Sequence, residues 1–291
     1  MSILRCAVYV APPIPIVDIF TKTKGHTWSP TSCTLVYSDE AAVLVDTPYT
    51  NALTEDLIAW IKKIAPGRRL EYIYITHGHA DHFIGIPQLL KRFPEAKPVS
   101  TAATLRHMEK DIAEPRWTDT WEAFFPGQLR KPDRLTDPLP ASNEFFLQGR
   151  WRFQAIEVGQ SDTYDSTILW VPDLKLAVCG DVVYGQVHQM LFEANTKSKR
   201  DEWIRAIEMV EALNPAYVVA GHKQAEEMDG VWHLAATKKY LVDFGDVMDK
   251  SPQDWTEVRD AMLKLYPDRF NPMVPVLSSL GAFKALEESR L

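Results

Sequence analysis

The sequence predicts an α/β protein. Two strand-rich blocks, each accompanied by helices, are consistent with two sheets packed face to face and helices on both outer faces. Three observations carry this reading. β-branched and aromatic runs cluster over residues 33–76 and again over 144–220. Stretches with helical apolar spacing are interleaved with them. No internal repeat or low-complexity linker divides the 291 residues, so a single domain over 1–291 is expected. Hydrophobic pattern alone does not separate this arrangement from other α/β folds.

In the first block, strands over 33–37 and 42–46 flank Ser38-Asp39-Glu40, a hairpin signal. A helix follows over 54–64, with Leu57, Ile58, Trp60, Ile61 and Ile64 at helical spacing and Pro66-Gly67 as its stop. Leu70 to Thr76 reads as a buried strand, 83–93 as a short helix, 98–100 as a strand and 102–110 as a helix. Residues 113–143 differ in texture. Five prolines sit among Trp117, Trp121, Phe124 and Phe125, too apolar for a disordered linker and too broken for regular elements, which suggests an inserted lid or pocket wall. The second block holds paired strands over 144–147 and 151–156, then 166–171 and 174–179 about Pro172-Asp173. A helix over 200–213 and a last strand over 216–220 follow, and 231–291 reads as a C-terminal helical extension with a helix start at Ser251-Pro252.

Composition narrows the function. The chain is 46% apolar and 24% charged, with net charge −7 and no basic run, which speaks against nucleic acid or an anionic membrane as partner. No stretch approaches the ~20 apolar residues of a membrane span, and the N-terminus lacks the features of a secretory signal. Cys6, Cys33 and Cys179 make no disulfide framework, so reduced thiols and a cytoplasmic location are expected. No cysteine pair has thiolate-site spacing, so any metal must be held by His and carboxylate.

That donor set is concentrated in His77-Gly78-His79-Ala80-Asp81-His82, directly after the 70–76 strand. A strand ending in such a loop fixes several donor atoms before an ion arrives. Three later strand ends carry Gly beside a polar residue: Gly159-Gln160, Gly180-Asp181 and Gly221-His222. Imidazole and carboxylate suit Zn²⁺. Two close cations lower the pKa of a shared water from ~15.7 to about 7, giving a hydroxide nucleophile at neutral pH.

The His-x-His-x-Asp-His loop, with Gly180-Asp181 and Gly221-His222 following in order, resembles the metallo-β-lactamase superfamily over roughly residues 30 to 225. The resemblance implies a four-layer αβ/βα sandwich with two mixed β-sheets. It also implies two zinc ions, with His77 and His79 at a first site, Asp81, His82 and His222 at a second, and Asp181 bridging. Gln160 stands where the family has a histidine. It either ligates weakly through its amide oxygen, or leaves the first site partly empty, or is replaced by another residue such as His188 or His26.

Among the remaining candidates, Tyr184 is placed to hydrogen-bond a developing oxyanion, and His26 and Trp28 to form a flap. Asp162 and Asp165 are assigned to shaping their loop, and His107 and His233 to the surface. Asp81 is expected to hold and pass on the attacking water's proton. The resemblance implies a zinc-dependent hydrolase, and the aromatic excursion a small apolar or aromatic substrate, first of all a lactam or lactone in detoxification or secondary metabolism. Lys223, Lys238 and Lys239 leave room for a glyoxalase-II-like thioesterase with a basic anchor. The missing histidine leaves room for a non-hydrolytic binding protein or a diiron redox protein.

Overall fold

The computed structural model describes residues 3–20 and 24–288. Its first sheet has six strands in the order β1 (Arg5–Ala11), β2 (Thr31–Tyr37), β3 (Ala41–Val45), β4 (Arg69–Tyr74), β5 (Lys97–Ser100), β6 (Asp137–Pro138). β1, β2 and β3 pair antiparallel, and β3 to β6 parallel. The second sheet runs β11 (Tyr217–Val219), β10 (Leu176–Val178), β9 (Ser166–Val171), β8 (Trp151–Gly159), β7 (Glu144–Leu147), antiparallel except for β10 with β11. Helices α1 (Asn51–Ile64), α2 (Ile86–Arg92) and α3 (Ala102–Asp111) belong to the first half. Helix α4 (Lys197–Ala212) crosses from β10 to β11, and α5 (Trp232–Asp249), α6 (Trp255–Leu265) and α7 (Met273–Glu288) complete the chain.

The strands are apolar on both faces because each sheet is covered twice. Val36, Val43 and Val45 point with Tyr74, Phe153, Leu169 and Val178 into the layer between the sheets. Their sequence neighbours Leu35 and Leu44 pack outward with Leu57, Ile61 and Phe83. On the other sheet Ile168, Ala177 and Val218 pack outward with Trp203, Ile207, Leu241 and Phe244. Three apolar layers between four layers of secondary structure make an αβ/βα sandwich, as the sequence predicts. Phe153 is fully buried in the central layer and stacks on Phe145 at 5.1 Å between ring centroids. Phe153→Ala is expected to lower unfolding free energy by about 3–5 kcal/mol; a loss under ~1 kcal/mol in urea titration would contradict this packing.

Several expectations need correction. β1 goes unpredicted because as an edge strand it is only partly buried and lacks clean alternation. Residues 113–143 are not devoid of regular structure: Trp117–Glu122 forms a π-helical stretch and Asp137–Pro138 adds an edge strand. Helix α6 is capped by Asp254, whose side chain accepts from the Thr256 and Glu257 amides, and not by Ser251, which has φ 56°. Among the described residues, no helix is long and apolar enough to cross a membrane.

Candidate metal centre

The ligand loop leaves β4 through Ile75 and Thr76 and closes as a single tight turn over Ala80–His82. Asp46, one residue past β3, holds it from below. Its carboxylate accepts from the Thr76 amide at 2.9 Å and the Thr76 hydroxyl at 2.8 Å, and lies 3.1 Å from His82 Nδ1. Asp111, at the end of α3, accepts the Ala80 amide at 2.9 Å and the Trp121 indole at 2.8 Å. From the second sheet, Gly180-Asp181 and Gly221-His222 reach across to the same point. Glycine is required at both turns. A Cβ at Gly180 (φ +48°) would lie 2.3 Å from Thr76 Oγ1, and one at Gly221 would lie 2.2 Å from Asp181 Oδ1.

The structure brings together His77, His79, Asp81, His82, Asp181 and His222. His82 Nε2 lies 3.2 Å from Asp181 Oδ1 and 3.4 Å from His222 Nε2. His222 Nε2 is 3.2 Å from Asp181 Oδ2 and 3.5 Å from Asp81 Oδ2, while its Nδ1 is held by the Pro30 carbonyl at 2.8 Å. Donor atoms within 4.8 Å of one another form four overlapping sets among the described residues: Asp81 with His82 and His222, His77 with His82 and Asp181, His77 with His79 and Asp162, and His79 with His107 and Glu193. The buried side-chain atoms without a hydrogen-bond partner include His77 Nε2, Asp162 Oδ2 and Asp181 Oδ1. The last two approach imidazoles without hydrogen-bond alignment.

Three buried carboxylates among four imidazoles ask for positive charge. Burial opposes the charged form of His222, yet Asp181 and Asp81 outweigh it and raise the ring to about 10. Burial is likewise overcome at His82, which Asp181 and Asp81 pull upward. At Asp81 burial is outweighed by His82 and His222, so the carboxyl titrates below its usual range. Asp162 goes the other way: burial dominates and pushes it up to about 6. His77, buried beside His82, is driven down. A divalent cation would take the place of those ring protons, satisfying the carboxylates and accepting the imidazole lone pairs, so these residues fit a metal pair.

Other candidates settle differently. Gln160 turns back on its own loop, its amide nitrogen donating to the Ser161 carbonyl at 2.9 Å. Asp162 does not merely shape that loop: its Oδ2 lies 2.9 Å from His79 Nδ1. The Tyr184 hydroxyl is engaged with Asp181 Oδ2 at 2.6 Å, so its proton orients that carboxylate and is not presented to an oxyanion. Trp28 covers the site, its indole donating to Asp81 Oδ2 at 2.8 Å, whereas His26 is not among the side chains lining the cavity. His188 lines the cavity wall but gives its Nδ1 to the Tyr240 hydroxyl at 3.0 Å. His107 and His233 are buried, not superficial. His107 stacks on Tyr164 with ring centroids 4.0 Å apart, and His233 Nε2 meets the Met228 carbonyl at 2.9 Å. Sequence reasoning passed over Asp46 and Glu193, whose Oε1 lies 3.8 Å from His79 Nε2, and gave Asp162 only a loop-shaping role. For Asp162 a signal was present, since an acidic residue beside a degenerate ligand position is itself a donor.

Above the donors lies a cavity of about 280 Å³. Its floor is His79, Asp81, Asp162, Asp181 and His222, and its walls include Trp28, Trp121, Phe124 and Phe192. Trp121 and Phe124 come from the proline-rich stretch 113–143. Met273, Val274 and Leu277 come from α7, so the C-terminal extension builds part of the site. Asn271 ties it there, donating to the Thr27 carbonyl at 3.0 Å and to Ser29 Oγ at 2.9 Å beside Trp28. Among the described residues lining the cavity, Arg116 is the single Lys or Arg, and it is paired with Asp111 and Glu193.

Comparison with known proteins agrees with this geometry. Residues 26–222 match the profile of the Metallo-beta-lactamase superfamily. The chain is similar to the type 2 metallo-beta-lactamase of Bacillus sp. (strain 170), 26% identical over 195 residues, or 66% of each chain. It is also similar to that of Bacillus cereus, 25% identical over 206 residues, or 70% of this chain and 71% of that one. The matched stretch thus spans about two thirds of the length of these curated relatives. Among solved structures, a metallo-beta-lactamase from Pontibacter korlensis superimposes with TM-score 0.57 at 19% identity, over 82% of this chain and 99% of that one. The FIM-1 metallo-beta-lactamase from Pseudomonas aeruginosa, in a mono-zinc form, does so with TM-score 0.54 at 14% identity, over 82% and 91%. The structures share the fold, and the family match spans residues 26–222, more than half of the chain: this chain belongs to the metallo-beta-lactamase superfamily.

Proposed function

We propose that the protein is a zinc-dependent hydrolase that opens a small, neutral, largely apolar cyclic amide or ester, a lactam or lactone. One observation carries this reading. The cavity joins a floor of His and Asp donors to walls of aromatic and aliphatic side chains, and Arg116, the one Lys or Arg among the described lining residues, is already paired with two carboxylates. Such a pocket favours an uncharged ring and offers little to a substrate carboxylate. The relatives' names point to β-lactams; the walls here favour rings without a carboxylate.

Two zinc ions, held by His77, His79, Asp81, His82, Asp181 and His222, would supply a water of lowered pKa and a Lewis acid at the substrate carbonyl. The chain's own groups do the rest. The apolar walls exclude bulk water and orient the ring over the donors. Trp28 fixes the Asp81 carboxylate, which takes up the proton of the attacking water and returns it to the leaving nitrogen or oxygen. Tyr184 fixes Asp181. The unpaired Cys6, Cys33 and Cys179 support a cytoplasmic setting.

The thioesterase reading loses its support, because its proposed basic anchors are spent elsewhere. Lys223 pairs with Asp229 at 2.8 Å, Lys238 with Glu211 at 2.8 Å and Lys239 with Asp243 at 2.7 Å, and none lines the cavity. A panel of an alkyl or aryl lactone, a neutral lactam, a carboxylate-bearing β-lactam and a glutathione thioester tests the proposal. The neutral rings are expected to give the highest kcat/KM, lost on chelation and restored by zinc. Phe192→Ala is expected to raise KM for them about tenfold while sparing kcat, in line with ~1–3 kcal/mol for a hydrophobic contact. Preference for the β-lactam or the thioester overturns the substrate class. Iron with a visible absorption band, or no metal and no turnover, overturns the zinc hydrolase in favour of a redox or binding protein.

A further inference from the structure

We propose that Asp162, and not Gln160, completes the first metal site, making it a two-histidine, one-carboxylate centre with His77 and His79. This rests on the dinuclear reading above and departs from the all-histidine first site that the resemblance implies. Four observations converge on it.

A bulge between Glu157 and Gly159 disrupts the register of β8 against β9 just before the loop. Bulges of this kind re-aim the side chains that follow. Gln160 then commits its amide nitrogen to the neighbouring Ser161 carbonyl and does not line the cavity. Asp162 does line it, and is itself held from behind: the Ser161 hydroxyl donates to Asp162 Oδ1 at 3.0 Å, and the same hydroxyl lies 2.8 Å from Ser166 Oγ. One carboxylate oxygen is thereby anchored and the other left inward, as the partners of a metal-binding carboxylate are arranged.

That second oxygen, Asp162 Oδ2, is fully buried and has no hydrogen-bond partner, and neither has His77 Nε2. Donor atoms of His77, His79 and Asp162 lie within 4.8 Å of one another, with Asp162 Oδ2 2.9 Å from His79 Nδ1. Buried acceptors that converge on one point without an aligned donor are costly unless a cation joins them. The same residues outside this role would leave a carboxylate facing imidazole without hydrogen-bond alignment.

The test counts ions. Metal-stripped wild type, Asp162→Asn and Gln160→Ala are titrated with Zn²⁺ by calorimetry, and bound zinc is measured after desalting. Wild type and Gln160→Ala are expected to hold about two ions. Asp162→Asn is expected to hold one, with affinity for the other down on the order of a hundredfold or more. Far-UV circular dichroism checks that the variants fold. Should Asp162→Asn not fold, anomalous diffraction from zinc-loaded wild-type crystals decides: an Asp162 oxygen is expected at ~2.0–2.2 Å from the first ion. Two ions retained in Asp162→Asn, an ion lost in Gln160→Ala, or Gln160 or water in that position overturns the assignment while leaving the dinuclear centre intact. A wild type that binds no zinc overturns both.

Discussion

Asp181→Ala is expected to lower kcat/KM by about three orders of magnitude or more, on the order of 4 kcal/mol of transition-state stabilisation. Zinc content is expected to drop below two per chain. Asp181 stands between His82 and His222 and shares a donor set with His77. Oδ1 faces His82 at 3.2 Å, and Oδ2 faces His222 at 3.2 Å and takes the Tyr184 hydroxyl at 2.6 Å. Its removal leaves His82 and His222 without the carboxylate between them. It also leaves the buried Tyr184 hydroxyl without an acceptor, which costs a further ~1–3 kcal/mol of stability. Tyr184→Phe separates the two effects. It keeps the carboxylate and loses only its anchor, so about 10–100-fold in metal affinity or rate is expected. Turnover and zinc content in Asp181→Ala equal to wild type would remove Asp181 from the site.

Asp46→Ala is expected to weaken the second ion by about 10–100-fold and to destabilise the fold by about 3 kcal/mol. The residue is buried, belongs to none of the donor sets, and supports the ligand loop through Thr76 and His82. Alanine would leave the buried Thr76 amide unpaired. It also suits φ 59° less well than aspartate, whose short polar side chain tolerates the left-handed region. Asp46→Asn is the informative partner. Its amide oxygen still accepts from Thr76, so most of the stability is expected to return. It no longer offers a carboxylate to His82, so the metal affinity is not. Equal zinc titration curves for all three proteins would show that His82 needs no such support.

The loop His77 to His82 was legible because its donors are local: a strand feeding one tight turn places residues within five positions of each other, whatever the rest of the chain does. Asp181 and His222 were legible because Gly-Asp and Gly-His follow apolar strands in the right order. The two sheets were legible because doubly covered strands read as continuous apolar runs, as in Ala41–Val45. The burial of His107 and His233 was not, since both sit in helices whose buried side is set by partners remote in sequence. The lining of the cavity by α7, and the contact of Trp28 with Asp81, 53 positions away, depend equally on how distant segments meet.

The sequence by itself determined the donor chemistry of this protein: four imidazoles and a set of carboxylates, no thiolate site, and the strand ends that present them. Tertiary structure decided which donors face one another. Whether Gln160 or Asp162 points at His79 turns on a bulge in β8 and on the bonds of Ser161. The meeting of His82 with His222, 140 residues apart, requires both sheets to pack. Residue type fixes what an atom can bind and is written locally. Direction and distance come from backbone register and side-chain packing, which are set only when the whole core closes.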